Sequence, residues 1–170
     1  MVHIEEHRRR PAALDTSFWN AACHAESEGY ALQLFTLHAP RVVVEEIESE
    51  QPPRTRPKAV LFLQLREAAL IRVVDPVKVT VTVFSPGERA VLSLASERKW
   101  HALVNEWRAH DYGRDVLGLE TVSVPELLVA VCYAGSLGKN EALRLLRKLA
   151  PITSAQLMLD ATRLIGEVPT

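Results

Sequence analysis

Two short clusters constrain this chain more than anything else in it. Ser85-Pro86-Gly87-Glu88 and Ser123-Val124-Pro125-Glu126 each open with a hydroxyl residue, place Pro in the first turn and carry Glu three positions on. That pattern is a capping box, and it marks where a helix begins. The first cluster follows two β-branched runs, Leu70 to Val74 and Val77 to Phe84; the second follows a short apolar run, Leu119 to Val122. Strand-like runs that feed directly into helix starts give a parallel or mostly parallel sheet covered by helices on both faces. In such sheets, sites form at the C-terminal ends of the strands, where the strand order switches.

The rest of the chain extends the alternation. Residues 1–10 are charged and read as a solvated lead-in, ending in Arg8, Arg9 and Arg10. Ala12 to Asp15 is an apolar run ended by an acid. Ser17 to Leu37 reads as two short helices broken at Gly29. Pro40 opens a helix carrying Val43, Val44 and Ile47. Residues 48–58 read as a loop, with Pro52, Pro53 and Pro57 among the basic residues Arg54, Arg56 and Lys58. Ala59 to Ala69 is a predicted helix. In Val77 to Phe84, Lys78, Thr80 and Thr82 alternate with Val79, Val81 and Val83, which predicts a half-exposed edge strand. Ala102 to Val104 is a short strand ended by Asn105, and Trp107 to Leu117 a helix stopped by Gly118. Helices are predicted near 126–135, 139–150 and 154–166.

Composition bounds the function. The chain has 170 residues, enough for one domain with a real core, and 48% are hydrophobic. Twenty Lys and Arg against 21 Asp and Glu leave a net charge of −1, which excludes a strongly basic nucleic-acid coat but not a local basic patch. The apolar run Leu127 to Ala134 is far short of a membrane span. A charged N-terminus without an apolar stretch predicts no signal peptide, so a cytoplasmic location is expected. Cys23 and Cys132 have apolar neighbours and read as reduced core residues. His24, His38, His101 and His110 lack zinc spacing.

The polar residues at the predicted strand–helix junctions each have an ordinary reading. Asp15, in Leu14-Asp15-Thr16-Ser17, would cap a helix. Glu46 would be one more charge beside Glu45, Glu48 and Glu50. Glu88 would partner Ser85 in its capping box, and Asn105 would cap the helix that follows it. Trp100 and Trp107 flank Asn105 and read as core or as faces on which a base could stack. Arg54, Arg56, Arg108 and Arg114 read as surface charge or phosphate contacts.

Taken in order, these pieces resemble the PIN-domain proteins, the nuclease fold of many toxin–antitoxin ribonucleases, and most closely a compact prokaryotic subgroup of predicted nucleic-acid-binding proteins. Leu14-Asp15-Thr16-Ser17 resembles the family's opening acid with its hydroxyl residue. Pro40, Val43 and Glu46 fit its proline, valine and glutamate spacing. Gly87-Glu88-Arg89-Ala90 looks like its glycine–glutamate helix start. Val104-Asn105-Glu106, followed by Arg108-Ala109, stands where the family has paired acids after the fourth strand. Residues from Thr121 to Leu149 resemble the subgroup's C-terminal extension.

The resemblance implies an α/β, three-layer PIN-like fold in a single domain over 1–170, with a core of about 12–125 and a helical C-terminal extension of about 126–168. It implies a metal-dependent endoribonuclease that hydrolyses RNA phosphodiester bonds, with an antitoxin protein and a second copy of the chain as partners and no membrane association. Mg²⁺ or Mn²⁺ would be held by Asp15, Glu46 and Glu88, with Asn105 or Glu106 completing the set. Thr16, Ser17 and Arg108 would contact substrate or orient a ligand. The departure is Asn105, where the family usually has aspartate. A neutral amide ligates without adding negative charge, so the alternative expectation is a PIN-like binding module with weakened or lost turnover.

Overall fold

The computed structural model describes residues 9–49 and 56–169, without the side chains of 56 and 57. Arg8, Pro52, Pro53, Arg54 and the side chains of Arg56 and Pro57 therefore lie outside the description. Among the described residues the elements run β1 (Arg10–Leu14), α1 (Thr16–His24), α2 (Glu28–Leu34), β2 (Phe35–Ala39), α3 (Arg41–Glu48), α4 (Arg56–Glu67), β3 (Ile71–Val73), α5 (Pro86–Arg98), β4 (His101–Leu103), α6 (Trp107–Asp115), β5 (Thr121–Val122), α7 (Val124–Tyr133), α8 (Lys139–Leu149) and α9 (Ala155–Glu167). The fold is α/β, and the five strands form one sheet in the order β3-β2-β1-β4-β5, every pair parallel.

Strand β1 is central, and Ala12, Ala13 and Leu14 are fully buried between layers of helices. Such two-sided burial explains why β1 is a continuous apolar run rather than an alternating one. Both capping boxes form as the sequence predicts: Ser85 accepts from the Glu88 N–H, Ser123 from the Glu126 N–H, and each Glu reaches back to its serine's N–H. Helices α7, α8 and α9 pack on one another, and α7 and α8 also rest on α1. One hydrophobic cluster joins Ala12 of β1 to Val168 beyond α9. No helix among the described residues is long and apolar enough to cross a membrane.

Four sequence expectations need correction. The break between α1 and α2 falls at Ala25 to Ser27, and Gly29 lies inside α2. Phe35–Ala39 is a strand, not the end of a helix; α2 passes into it at Leu34 with no intervening turn residue to mark the boundary. Its residues are mostly buried, so it lacks the alternation that flags a half-exposed strand. Residues 77–84 are not a strand. The N–H groups of Thr80 and Val81 donate to Ser93 Oγ on α5, so the segment lies along a helix and not along β3. Only Val81 is buried there, while Val77, Val79 and Val83 face outward. Finally, Arg56, Pro57 and Lys58 belong to α4 and not to the preceding loop.

Candidate active site

The sheet order places a switch point between β1 and β4. From β1 the chain steps outward through β2 and β3, then returns to add β4 and β5 on the other side. The Asp15 N–H donates to the Leu103 carbonyl at 3.0 Å, tying the ends of these two strands together. The crevice outside such a switch point is where α/β sheets bind ligands.

Asp15 stands at this point and is only 2% exposed. It caps α1: its carboxylate accepts from the Ser17 N–H at 3.0 Å and from the Ser17 hydroxyl. The cap and the acid are thus the same residue. Burial pushes the Asp15 pKa up to about 6; the Ser17 bonds oppose that rise, and the nearby carboxylates of Glu88 and Glu46 add to it. Two of the other acids expected in the site thus act on Asp15.

Glu46 comes from α3. Its carboxylate accepts the Thr16 hydroxyl proton at 2.5 Å. It also lies against the backbone of α5: a β-carbon on Gly87 would sit 2.7 Å from both Glu46 carboxylate oxygens. Gly87 is therefore bare because a carboxylate occupies the space a side chain would need. The first turn of α5 presents the positive end of the helix dipole to that carboxylate. Glu88, the next residue, holds the Ser85 N–H at 3.1 Å through its own carboxylate.

Asn105 contributes differently from the expectation. Its N–H donates to Ser17 Oγ at 3.0 Å, so its backbone belongs to the site. Its side-chain amide turns to the C-terminal extension: Nδ2 donates to Thr153 Oγ1 at 3.0 Å and Oδ1 accepts from the Val124 N–H at 3.1 Å. Nor does Asn105 cap α6; Glu106 does, accepting from the Ala109 N–H at 2.9 Å. As the side chains stand, no three His, Cys, Asp or Glu among the described residues could hold one metal ion. Glu88 is engaged by its cap and position 105 supplies no free oxygen-rich group, so the donor set does not close.

The other candidates spread away from this crevice. Arg108 is exposed, with its guanidinium 5.8 Å from the Trp107 ring centre. Arg114 pairs with Asp111, Asp115 and Glu126. Trp100 stacks on His38 with ring centres 4.3 Å apart. His110 is fully buried between two carboxylates, with Nε2 at 2.7 Å from Glu126 and Nδ1 at 3.2 Å from Asp111. Sequence reasoning missed the cleft beside Asp15. It has a volume of about 310 Å³ and is lined by Ser17, Asn20, Ala21 and His24 of α1 together with Lys58 and Glu106. The signal was present: positions 17, 20, 21 and 24 share one face of a helix. No protein-family model matches the chain, and no curated protein is similar to it.

Proposed function

We propose that this chain is a PIN-like protein whose switch-point crevice acts on the phosphodiester backbone of RNA with Mg²⁺ or Mn²⁺. The observation that carries the reading is Asp15. A carboxyl group whose pKa is pushed to about 6 by burial, with Glu88 and Glu46 adding to the rise, opposes folding. A cap alone would be served as well by Asn or Ser. Groups held at such a disadvantage cluster where they do chemistry.

Hard divalent cations are the ligands that grouped carboxylates match, and they supply charge neutralisation and an activated water at a phosphodiester. Within the chain, Thr16 orients Glu46, Ser17 orients Asp15, and the bare Gly87 keeps Glu46 against α5. Closing the donor set requires these side chains to shift from where they stand. A second reading, a binding module without turnover, draws support from Asn105, whose amide is committed to Val124 and Thr153.

The test is cleavage of a single-stranded RNA by the purified protein across Mn²⁺ concentrations, with Glu46→Gln beside it and thermal shift on both. Mn²⁺-dependent cleavage that falls by roughly a hundredfold or more in the variant supports the nuclease. A Mn²⁺ thermal shift without cleavage selects the binding module. Neither shift nor cleavage overturns the metal site altogether.

A further inference from the structure

We propose that Thr153, in the turn between α8 and α9, is a positioning residue for the switch-point crevice: through the side-chain amide of Asn105 it sets the β4–α6 loop, whose backbone holds the Ser17 hydroxyl against Asp15. This rests on the cation-binding part of the function proposed above, with or without turnover. It names the element that shapes that site from outside it.

The connection is a continuous run of hydrogen bonds. Asn105 Nδ2 donates to Thr153 Oγ1 at 3.0 Å, the Asn105 N–H donates to Ser17 Oγ at 3.0 Å, and the Ser17 hydroxyl donates to Asp15. The chemistry of the groups forces these directions. The Val124 N–H can only donate, so it faces Asn105 Oδ1 at 3.1 Å and leaves Nδ2 for Thr153. An ionised carboxylate only accepts, so the Ser17 hydroxyl, which takes the Asn105 proton on its oxygen, gives its own to Asp15. An amide serves Val124 and Thr153 at once, which an ionised aspartate at 105 would not do, since it has no proton to donate. Leu103 ends β4 and Trp107 begins α6, so Asn105 has a single neighbour on each side before regular structure resumes. A shift of its amide therefore reaches its backbone and the Ser17 clamp.

The far end of the run is anchored in packed helices. The Ile152 N–H donates to the Leu149 carbonyl at 3.0 Å at the end of α8, and Ser154 caps α9 by accepting from the Leu157 N–H. Leu149 and Leu157 are buried. Thr153 is thus held between two helices that pack on each other, and α8 also rests on α1, the helix that carries Ser17. The near end has no water to fall back on. Asn105 is only 6% exposed, so an Nδ2 deprived of Thr153 would be left unpaired and would draw the loop toward another acceptor. Side chains that do chemistry are held in place by supporting bonds of this kind.

The experiment uses three variants of the full chain. Thr153→Val keeps the shape and removes the hydroxyl, Thr153→Ser keeps the hydroxyl, and Ser154→Ala removes the α9 cap one position on. Amide hydrogen exchange and NMR shifts are read first without metal, then each protein is titrated with Mn²⁺. Thr153→Val should speed exchange of the Asn105 N–H about fivefold, the scale of one hydrogen bond, and move the Asn105 and Ser17 amide signals. Thr153→Ser should restore both, and Ser154→Ala should lower the melting temperature without either change. Mn²⁺ should bind about fivefold more weakly to Thr153→Val and as in the wild type to the other two. Asn105 exchange unchanged in Thr153→Val, or raised equally in Ser154→Ala, would overturn the inference, as would an unchanged Mn²⁺ affinity in Thr153→Val. A wild type that binds no Mn²⁺ would overturn the cation site instead, and the metal-free exchange would still decide the link from Thr153 to Ser17.

Discussion

Helices α5 and α7 start with the same local chemistry and end in opposite electrostatic surroundings. Both open with Ser, Pro and a Glu that closes a capping box. Glu126 of α7 also meets His110 at 2.7 Å and Arg114 at 3.8 Å. Burial alone would raise its pKa, but the bonds from His110 and Ser123 bring it below the usual value. Burial alone would lower the His110 pKa, and Glu126 and Asp111 raise it instead. Glu88 of α5, like Glu46, raises the Asp15 pKa, with no cation among the groups that shift Asp15. One cluster is neutralised and holds α6 to α7. The other has no cation beside Asp15. A cap sequence thus specifies a helix start and says nothing about the charge around it.

The largest effect should come from breaking the neutralised cluster. His110→Ala removes a fully buried ring and the nearest charged partner of the Glu126 carboxylate, which keeps its bonds from Ser123. The loss should be about 3 kcal/mol, at the lower end for a broken buried pair because Glu126 keeps some solvent contact, or roughly 6–12 °C in melting temperature. The pH dependence has a defined sign. The His110 contribution is present below its ordinary value of 6.5 and is lost as pH rises through its raised value. The Glu126 contribution is present above 4.5 and is lost as pH falls through its lowered value. Denaturation from pH 4 to 9 should therefore show the wild-type advantage over His110→Ala peaking between about 4.5 and 6.5 and declining in alkali.

Asp15→Asn should act in the reverse direction. The folded Asp15 carboxyl titrates near 6 against 3.8 when unfolded, so its burial costs stability that appears as pH rises through that window. Asn keeps an acceptor for Ser17 and no charge, so the variant should gain up to about 3 kcal/mol at pH 8 and nothing below pH 4. It should also lose the stabilisation that Mn²⁺ confers by mass action. A destabilised variant at pH 8 with its Mn²⁺ shift intact would reduce Asp15 to a helix cap.

Asn105→Asp separates the site from the extension. Aspartate can still accept from the Val124 N–H but cannot donate to Thr153, and it adds a buried charge. The metal-free protein should lose about 2 kcal/mol, while its Mn²⁺ thermal shift should exceed that of the wild type. A metal-free melting temperature equal to that of the wild type would mean that the Thr153 contact contributes nothing.

The smallest effects compare the caps themselves. Ser85→Ala and Ser123→Ala should each cost about 1 kcal/mol in chemical denaturation. Similar losses would place the difference between the two helix starts in their surroundings; a much larger loss for Ser123 would measure what its hydroxyl bond to Glu126 adds.

Local chemistry made much of this protein legible from its residues. Capping boxes, apolar runs and helix stops identified β1, β3, β4, β5 and α3 to α9 with small boundary shifts, because each is marked by neighbours a few positions apart. Where those marks were missing or misleading the reading failed: β2 follows α2 without a break, and residues 77–84 carry strand-forming residues but bond to Ser93 of a helix. Asp15, Glu46 and Glu88 were visible as residue types in order, yet what each does depends on groups distant in sequence. The Thr16–Glu46 bond spans 30 positions, Asn105 to Ser17 spans 88 and Asn105 to Thr153 spans 48. The chain alone determined where helices and strands begin, since caps and side-chain periodicity act within a turn or two. Only the tertiary structure decided that one capping glutamate is neutralised and the other crowded by acids, that Gly87 makes room for Glu46, and that Asn105 spends its amide on the extension, because burial and charge interactions are set by elements that folding brings together.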